Sequence, residues 1–312
     1  MVDCMVSRKK ILITGCSGFI GRHTVRYALG HGYQVVGLDL RPLTIRHKNL
    51  TFFKGSINNR ALVEKVTKGC GYVLHLAALA SLPDFNKDLH ANYTTNVVGF
   101  MNVIDAARKN KCKKFVYASS SGVYKDEFSE ESVINVMTQR NHYGKSKLID
   151  EMIADSYIDT HKMPVVGLRY FNIYGPGEED KLRSSPITQF LMEKKRSDTI
   201  TIFGDGKQSK DFTYIDDAVE LSFRLLEDKK SLGLYNIGTG VTTNFLQIVK
   251  LMKPSKVIFT KNPYLSTYMF YLKADTKRIL KAVKGYRFVK LSDGIKRVET
   301  AVNVYKGKTS DW

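Results

Sequence analysis

Cysteine is scarce in this 312-residue chain and long apolar runs are absent, and each absence excludes a class of protein. The four cysteines, at positions 4, 16, 70 and 112, lack the spacing of metal ligands, so we predict neither a disulfide framework nor a zinc site. No apolar run approaches the ~20 residues of a membrane-spanning helix. A strand-like run already begins at Lys10, which leaves no room for a signal peptide. We therefore expect a cytoplasmic protein that is neither exported nor embedded in a membrane.

Acidic residues are in the minority, because 30 Asp and Glu stand against 49 Lys and Arg and the formal net charge is +19. Such an excess suits nucleic acid, an anionic membrane surface or polyanionic small molecules. The basic residues are spread along the chain, with only short clusters at 109–114 and 194–196. We interpret most of them as a solvated surface that also attracts phosphorylated ligands, and we expect neither nucleic acid nor a membrane as the partner.

Residues 9–171 alternate between strand-like and helix-like patterns with little between them. Strands are predicted at 10–14, 34–38, 50–53, 72–76, 114–118 and 164–171. Helices are predicted at 19–29, 61–66, 90–107 and from residue 142 onward. Near-continuous apolar strands separated by helices are typical of a parallel sheet that is covered on both faces. The predicted fold is therefore α/β, a doubly wound parallel sheet of the nucleotide-binding kind.

The alternation loosens after Phe171, where glycine and proline mark loops at 175–177 and 204–206. A helix predicted at 216–226 and a strand at 234–237 return to the first layer. We predict a nucleotide-binding domain over residues 1–171, to which 213–240 return. Residues 172–312 are then mainly a smaller, partly interleaved substrate lobe.

A glycine-rich turn joins the first strand to the first helix, with glycines at 15, 18 and 21. Such a turn lets backbone N–H groups approach a pyrophosphate, although an ordinary tight turn needs glycines as well. Asp39 ends the second strand, where a carboxylate would bond the ribose hydroxyls and repel a 2′-phosphate. We therefore predict NAD as the cofactor, while Arg41 leaves NADP as the alternative.

A tyrosine and a lysine four residues apart, Tyr143 and Lys147, begin a segment with helical apolar spacing. On a helix they share one face, so the ammonium lies beside the phenol. A neighbouring cation favours the ionised phenol, which can then take a proton from a sugar hydroxyl. The same spacing recurs at Tyr286 and Lys290, but that stretch alternates like a strand and we interpret it as a decoy.

Three serines follow the predicted fifth strand, at 119–121, where open α/β sheets bind their ligands. A hydroxyl there can hold the oxygen of a reacting carbinol while a tyrosine takes its proton. A serine-rich strand exit is common, and its combination with the Tyr143 pair is much less so.

Taken together, these motifs resemble the extended short-chain dehydrogenase/reductase family of nucleotide-sugar epimerases and dehydratases. The matching segments are the turn at 15–21, His75–Ala78, Asn96–Gly99 with Asn102, Ser119–Ser120, Tyr143 with Lys147, Arg169–Asn172, Gly204–Gly206 and Asp211–Phe212. The resemblance implies a Rossmann domain that binds NAD and a nucleotide-sugar substrate. It also implies a homodimer formed through helices near His90–Ala107 and His142–Ile158.

The resemblance assigns roles residue by residue. Ser120, Tyr143 and Lys147 would be catalytic. The cofactor would be bound by Gly15, Ser17, Gly18, Phe19, Ile20, Gly21, Asp39, Leu76, Ala77, Ala78, Asn96, Tyr143 and Lys147. The substrate would be bound by Ser120, Ser121, Asn172, Lys181 and Lys210, and no residue would bind a metal.

Within the family, sugar dehydratases carry an Asp-Glu pair directly after the active-site hydroxyl residue, whereas this chain has Ser121 and Gly122. Epimerase-reductases of the fucose pathway use a cysteine near this serine, and none is present. The remaining reaction is an NAD-dependent epimerisation at C4, and we expect UDP-glucose, UDP-galactose or their N-acetyl forms as substrates.

Two alternatives stay open. The segment Pro164–Pro176 and Lys181 are similar to the ADP-glycero-manno-heptose 6-epimerases, where a matching lysine is a second acid/base, although a solvated charged loop explains Lys181 equally well. A non-catalytic dinucleotide-binding regulator or nucleic-acid-binding protein would use the +19 charge instead.

Three residues depart from the family pattern. Ser56 replaces an Asp near the adenine, Lys125 replaces a Gly, and Lys210 replaces an Arg that grips the diphosphate. A lysine ammonium is a point charge and lacks the bidentate geometry of the guanidinium.

Overall fold

The computed structural model describes residues 9–80, 88–124, 129, 141–179, 184–262 and 269–305. They divide into two compact units. The first unit holds the described residues of Met1–Val123, Asn135–Arg169 and Val219–Tyr235. The second unit holds those of Tyr124–Ile134, Tyr170–Ala218 and Asn236–Trp312.

A seven-stranded sheet is the centre of the fold. Its strands are β1 (Lys10–Thr14), β2 (Gln34–Asp39), β3 (Leu50–Lys54), β4 (Tyr72–His75), β5 (Lys114–Ser120), β6 (Val165–Tyr170) and β11 (Gly233–Ile237). Their order across the sheet is β11-β6-β5-β4-β1-β2-β3. Strand β1 pairs in parallel with β2 on one side and with β4 on the other, so the chain order reverses at β1. The doubly wound α/β fold predicted from the sequence is confirmed, and a switch of this kind is where such folds bind ligands.

Helices cover the sheet. In the first unit they are α1 (Phe19–Gly30), α2 (Arg60–Thr67), α3 (Leu89–Tyr93), α4 (Gly99–Lys109) and α5 (His142–His161), and α7 (Ile215–Glu227) enters the unit at residue 219. In the core, strand residues such as Leu12, Val73 and Phe115 are fully buried and belong to one cluster with Val103 and Ile104 of α4. Asparagine side chains cap two of these helices, because Asn59 accepts the N–H of Leu62 at the start of α2 and Asn141 accepts the N–H of Gly144 at the start of α5.

The helix predicted over 90–107 is confirmed, and the helical segment runs without a break from α3 to α4. A π-helical turn at Thr94–Val98, which the sequence pattern did not predict, joins the two. The π-helical turn contains the buried Asn96. Turns of this kind occur frequently at functional sites.

Short sheets and helices make up the second unit. The strands pair as β7 (Ile173–Tyr174) with β10 (Thr213–Tyr214), β9 (Ser209–Asp211) between β12 (Thr242–Asn244) and β14 (Tyr271–Leu272), and β8 (Thr199–Phe203) with β13 (Lys256–Thr260). The helices are α6 (Pro186–Ser197), α8 (Phe245–Met252), α9 (Lys277–Ala282) and α10 (Leu291–Val304), together with the first residues of α7. Within the described ranges, no helix has the length and apolar character needed to cross a membrane.

The strand predicted around Tyr286 and Lys290 is absent, and residues 286–290 are irregular. The carboxylate of Asp217 determines this conformation, because it accepts the Tyr286 hydroxyl at 2.7 Å and the Val289 N–H at 3.0 Å. The interpretation of this tyrosine as a decoy stays a prediction.

Candidate active site

The glycine turn is packed so closely that side chains are excluded from it. Gly15 has a φ of +68°, and a Cβ there would lie 2.7 Å from the backbone nitrogen of Ala77. A Cβ on Gly21 would lie 2.0 Å from the carbonyl oxygen of Gly15. Helix α1 therefore begins directly against the end of β1, and Gly18 at its N-cap supplies no capping side chain. This geometry is that of an anion-binding helix start.

Asp39 is fixed against this turn at the end of β2. Its Oδ2 accepts the N–H of Ser17 at 2.9 Å, and its Oδ1 accepts the N–H of Arg41 at 2.9 Å. Each carboxylate oxygen has a second acceptor position, which a ribose hydroxyl can use. The exposed Arg41 side chain also reaches back to the turn, with its Nη2 3.5 Å from the Ser17 carbonyl oxygen.

Asn96 connects the segment after β4 to the helix that carries Tyr143. Its side-chain amide accepts from the N–H of Leu79 at 2.8 Å and donates to the carbonyl of Leu79 at 3.1 Å and to Ser146 Oγ at 3.1 Å. Ser146 donates in turn to the carbonyl of Tyr143 at 2.8 Å. The amide thus holds the segment with Leu76, Ala77 and Ala78, while direct contact of Asn96 with a cofactor stays a prediction.

Ser120, the last residue of β5, lies at the amino end of α5. Its Oγ accepts the N–H of Gly122 at 3.0 Å. A Cβ on Gly122 would lie 3.2 Å from that Oγ and 3.8 Å from Nδ2 of Asn141, the N-cap of α5. Ser121 is buried in the short 3-10 turn that follows. The chain thus brings the predicted serine to the start of the helix that carries the predicted tyrosine.

Tyr143 is half-buried and Lys147, one helical turn later, is only 1% exposed. The Lys147 ammonium donates to Asp150 Oδ2 at 3.1 Å. Burial works against the charge of Lys147, but the charges of Asp150 and Tyr143 outweigh it and raise the pKa of this lysine. Lys147 therefore carries a positive charge throughout the pH range in which enzymes work.

Two further residues of this region were missed from the sequence, namely Asp150 and Glu151. Both are buried, and Glu151 accepts a bidentate pair of hydrogen bonds from Arg169, at 2.9 and 2.7 Å, as well as the Ser119 hydroxyl at 2.6 Å. The three-residue spacing of Lys147 and Asp150 was the available signal, because residues three apart on a helix are neighbours.

His75, the last residue of β4, is buried close enough to Lys147 to be affected by its charge. Its Nδ1 lies 2.7 Å from Thr14 Oγ1, and Thr14 Oγ1 also accepts the N–H of Ala77. Burial, followed by the charge of Lys147, lowers the pKa of His75 to about 3, so the ring is neutral at physiological pH. His75 therefore adds no charge to the region around Lys147.

The predicted substrate residues Asn172 and Lys210 belong to the second unit. Asn172 has a φ of +35°, and its amide donates to the carbonyl of Asp211 at 2.8 Å. Lys210 is buried, its ammonium donates to the carbonyl of Met269, and burial lowers its pKa to about 8. Lys181 and Lys125 lie outside the described residues. In the described part of the chain, no cluster of three or more His, Cys, Asp and Glu residues could hold a metal ion.

Comparisons with known proteins place this geometry in a family. The sequence model of the NAD dependent epimerase/dehydratase family matches residues 11–238. A provisionally named UDP-glucose 4-epimerase of Methanocaldococcus jannaschii is 30% identical over 304 residues, which cover 92% of this chain and 96% of that protein.

Solved structures agree with this result. The UDP-glucose 4-epimerase of Thermotoga maritima with UDP-glucose is 25% identical, with a TM-score of 0.84 over 94% of this chain and 98% of that chain. The UDP-glucuronic acid 4-epimerase of Bacillus cereus, solved with UDP-glucuronic acid and NAD, is 28% identical, with a TM-score of 0.81 over the same shares.

Other matching proteins are named as a decarboxylase of UDP-N-acetyl-glucosaminuronate and as dTDP-glucose 4,6-dehydratases, so the comparisons reach a family of nucleotide-sugar enzymes and more than one reaction. The resemblance stated from the sequence motifs is confirmed. This chain belongs to the NAD-dependent epimerase/dehydratase family, and it is an NAD-dependent enzyme of the extended short-chain dehydrogenase/reductase type.

Proposed function

We propose that this enzyme epimerises C4 of a UDP-hexose, namely UDP-glucose, UDP-galactose or their N-acetyl forms, through a transient 4-keto sugar. The observation that carries the proposal is the placement of Ser120 at the start of the helix that presents Tyr143 and Lys147. The residues after Ser120 are Ser121 and Gly122, so this position offers no extra acid and base for the loss of water. Relatives named as UDP-sugar 4-epimerases support the same reaction.

The residues at the glycine turn fit the dinucleotide that this reaction needs. Gly15 and Gly21 leave no room for a side chain, which brings backbone N–H groups close to a bound pyrophosphate. Asp39 presents fixed carboxylate oxygens where the adenosine ribose would bind, and this supports NAD over NADP. When bound, NAD would supply the acceptance of a hydride from C4 and its return to the opposite face of the keto sugar.

The side chains of this chain handle the proton and the oxygen. Tyr143, as the phenolate, takes the proton of the C4 hydroxyl and later returns it to the same oxygen. Lys147 stabilises the phenolate with its positive charge, and its buried partner Asp150 accepts a hydrogen bond from the ammonium. Ser120 donates a hydrogen bond to the C4 oxygen as it becomes a carbonyl oxygen. In the second unit, Asn172 and Lys210 would bind the sugar diphosphate.

The variant Tyr143→Phe tests this assignment, because it removes the proton acceptor and keeps the ring. We expect turnover to fall by ~10²–10⁴-fold with the fold intact. Tyr286→Phe is the matched control, since Tyr286 has the same Tyr-x-x-x-Lys spacing but bonds Asp217 in the second unit. Activity near wild type in Tyr143→Phe would exclude this tyrosine as the base.

The substrate is identified by NMR of the purified protein with its co-purifying cofactor retained. Separate incubations contain UDP-glucose, UDP-N-acetylglucosamine and ADP-glycero-manno-heptose. The C4 epimer of a UDP-sugar is the expected product. Conversion of the heptose alone would assign the second catalytic role to Lys181 instead, and no conversion with NAD still bound would indicate a different sugar or the non-catalytic alternative.

The same proposal includes a homodimer. Apolar side chains are exposed on the helices expected at the interface, with Val98 48%, Met101 46% and Met152 61% exposed. Analytical ultracentrifugation of the protein, and of a Met152→Glu variant that places a charge on this surface, tests it. A wild-type monomer would contradict the expected assembly.

A further inference from the structure

Asp150 is a fully buried carboxylate that the proposed reaction does not use. It lies three residues after Lys147 on α5, and its side chain is 0% exposed. Oδ2 accepts the Lys147 ammonium at 3.1 Å, whereas Oδ1 is buried and has no hydrogen-bond partner in the described part of the chain. A carboxylate that is withdrawn from water this completely is costly, which makes it unusual unless it has a role.

Titratable and charged groups face this ion pair from four elements. They are Tyr143 and Glu151 on α5, His75 on β4, Tyr117 on β5 and Arg169 on β6. Burial keeps His75 and Tyr117 neutral, since it lowers the pKa of the first and raises that of the second. Glu151 is already engaged by Arg169 and Ser119. Among the described residues, Asp150 is therefore the carboxylate that hydrogen-bonds to Lys147.

The charge of this carboxylate opposes the effect of Lys147 on its neighbours. With Asp150 ionised, the buried pair is neutral, so forming the Tyr143 phenolate leaves a net negative charge in a region of low dielectric. With Asp150 protonated, the pair of Lys147 and Asp150 carries a positive charge. Forming the Tyr143 phenolate then leaves no net charge and costs less free energy. Burial raises the pKa of Asp150 to about 7 although Lys147 opposes this rise, so both states are accessible near neutral pH.

We propose that Asp150 is a positioning residue that holds the Lys147 ammonium in place and offsets its charge, and that this sets the pH range in which Tyr143 exchanges its proton with the substrate. The inference rests on the proposed function, because it needs Tyr143 to be the base. Asp150 itself touches neither substrate nor cofactor and acts through Lys147.

The test compares the wild type with Asp150→Asn, which is isosteric, keeps an oxygen that accepts from Lys147, and removes the negative charge. The matched control is Asp159→Asn on the exposed side of the same helix. The readout is kcat/KM for the UDP-sugar that the wild type converts, between about pH 5 and about pH 9. We expect the acidic limb of the Asp150→Asn profile to move down by about one pH unit, a gain of about tenfold on the acidic side relative to the plateau.

The wild type has a further expected feature. In the wild type, the ionisation of Asp150 makes the ionisation of Tyr143 less favourable, so the acidic limb of the kcat/KM profile is broad. The acidic limb of the Asp150→Asn profile follows a single ionisation. An unchanged Asp159→Asn profile would show that the effect depends on the position of Asp150. A merely structural role would instead lower activity equally at every pH.

A second measurement does not depend on activity. The unfolding free energies of Lys147→Met, Asp150→Asn and the double variant form a cycle, and we expect the double variant to lose less than the two single variants together. If the wild type is active and the Asp150→Asn midpoint does not move, the inference fails while the proposed function stands. If the wild type converts no nucleotide sugar, the proposed function fails, and the double-variant cycle still tests the pairing of Asp150 with Lys147. Additive losses would then overturn the pairing, and coupled losses would support it.

Discussion

Two of the buried lysines, Lys147 in the first unit and Lys210 in the second, meet opposite electrostatic conditions. Lys147 on α5 contacts the carboxylate of Asp150, and its pKa is raised even though burial opposes its charge. Lys210 on β9 donates to the backbone carbonyl of Met269, and burial lowers its pKa to about 8. The two side chains are similarly withdrawn from water, at 1% and 8% residue exposure.

The difference shows that burial alone does not determine the charge of a lysine. A carboxylate compensates the lost hydration of Lys147, whereas a carbonyl dipole compensates less for that of Lys210. Lys147 is therefore a permanent cation that suits a catalytic role beside a phenol. Lys210 is a cation whose charge is conditional, and an anionic ligand such as a diphosphate would stabilise that charge when it binds.

The largest expected effect is that of Lys147→Met. We expect turnover to fall by ~10²–10⁴-fold, because the phenolate loses its cation. We also expect the unfolding free energy above neutral pH to fall by about 1–3 kcal/mol, because Asp150 loses its cation and has to bind a proton there, since burial raises its pKa. Urea unfolding and steady-state kinetics measure the two effects.

Lys210→Met is the control for stability, since it removes a buried cation whose ammonium donates to the backbone carbonyl of Met269. We expect its unfolding free energy to change by less than about 1 kcal/mol. At about pH 5 the loss in Lys147→Met should shrink, because Asp150, whose pKa burial raises, then binds a proton and needs no cation. Equal destabilisation of the two variants at both pH values would contradict the contrast between these lysines.

The sequence predicted the first unit better than the second. Strands β1, β2, β4 and β5 are mainly apolar runs of four to seven residues that alternate with helices, so their order and the glycine turn follow from pattern alone. Strands β7, β10 and β14 have two residues each, which is too short for any periodicity. The tyrosine–lysine pair could be predicted from its spacing, whereas the burial of Asp150 depends on tertiary contacts of α5, including those with β5. The π-helical turn at Thr94–Val98 likewise has no signature in the hydrophobic pattern.

A smaller effect is expected when Lys210 is changed in activity assays. If Lys210 binds the diphosphate as proposed, Lys210→Met should raise KM by about 10–100-fold, the value of a charge-assisted hydrogen bond, with little change in kcat. Such a split separates a binding lysine from the catalytic Lys147. A fall in kcat at unchanged KM would show that the second buried lysine also acts on the chemical step.

The smallest expected effect is the pH dependence of KM, and it tests the conditional charge of Lys210 directly. Its pKa is lowered to about 8, so the positive charge is present below that pH and is lost as pH rises through it. Between about pH 7 and about pH 9 the charged fraction of the free enzyme falls by up to about tenfold, and KM for the nucleotide sugar should rise accordingly. Lys210→Arg provides the comparison, because a guanidinium stays charged throughout this range and its KM should be flat. If KM of the wild type is also flat while Lys210→Met raises it, the lysine must keep its charge despite burial. Contacts other than the one with the Met269 carbonyl would then have to compensate the lost hydration of the Lys210 ammonium. Lys147 and Lys210 would differ only in how strongly their surroundings stabilise the positive charge.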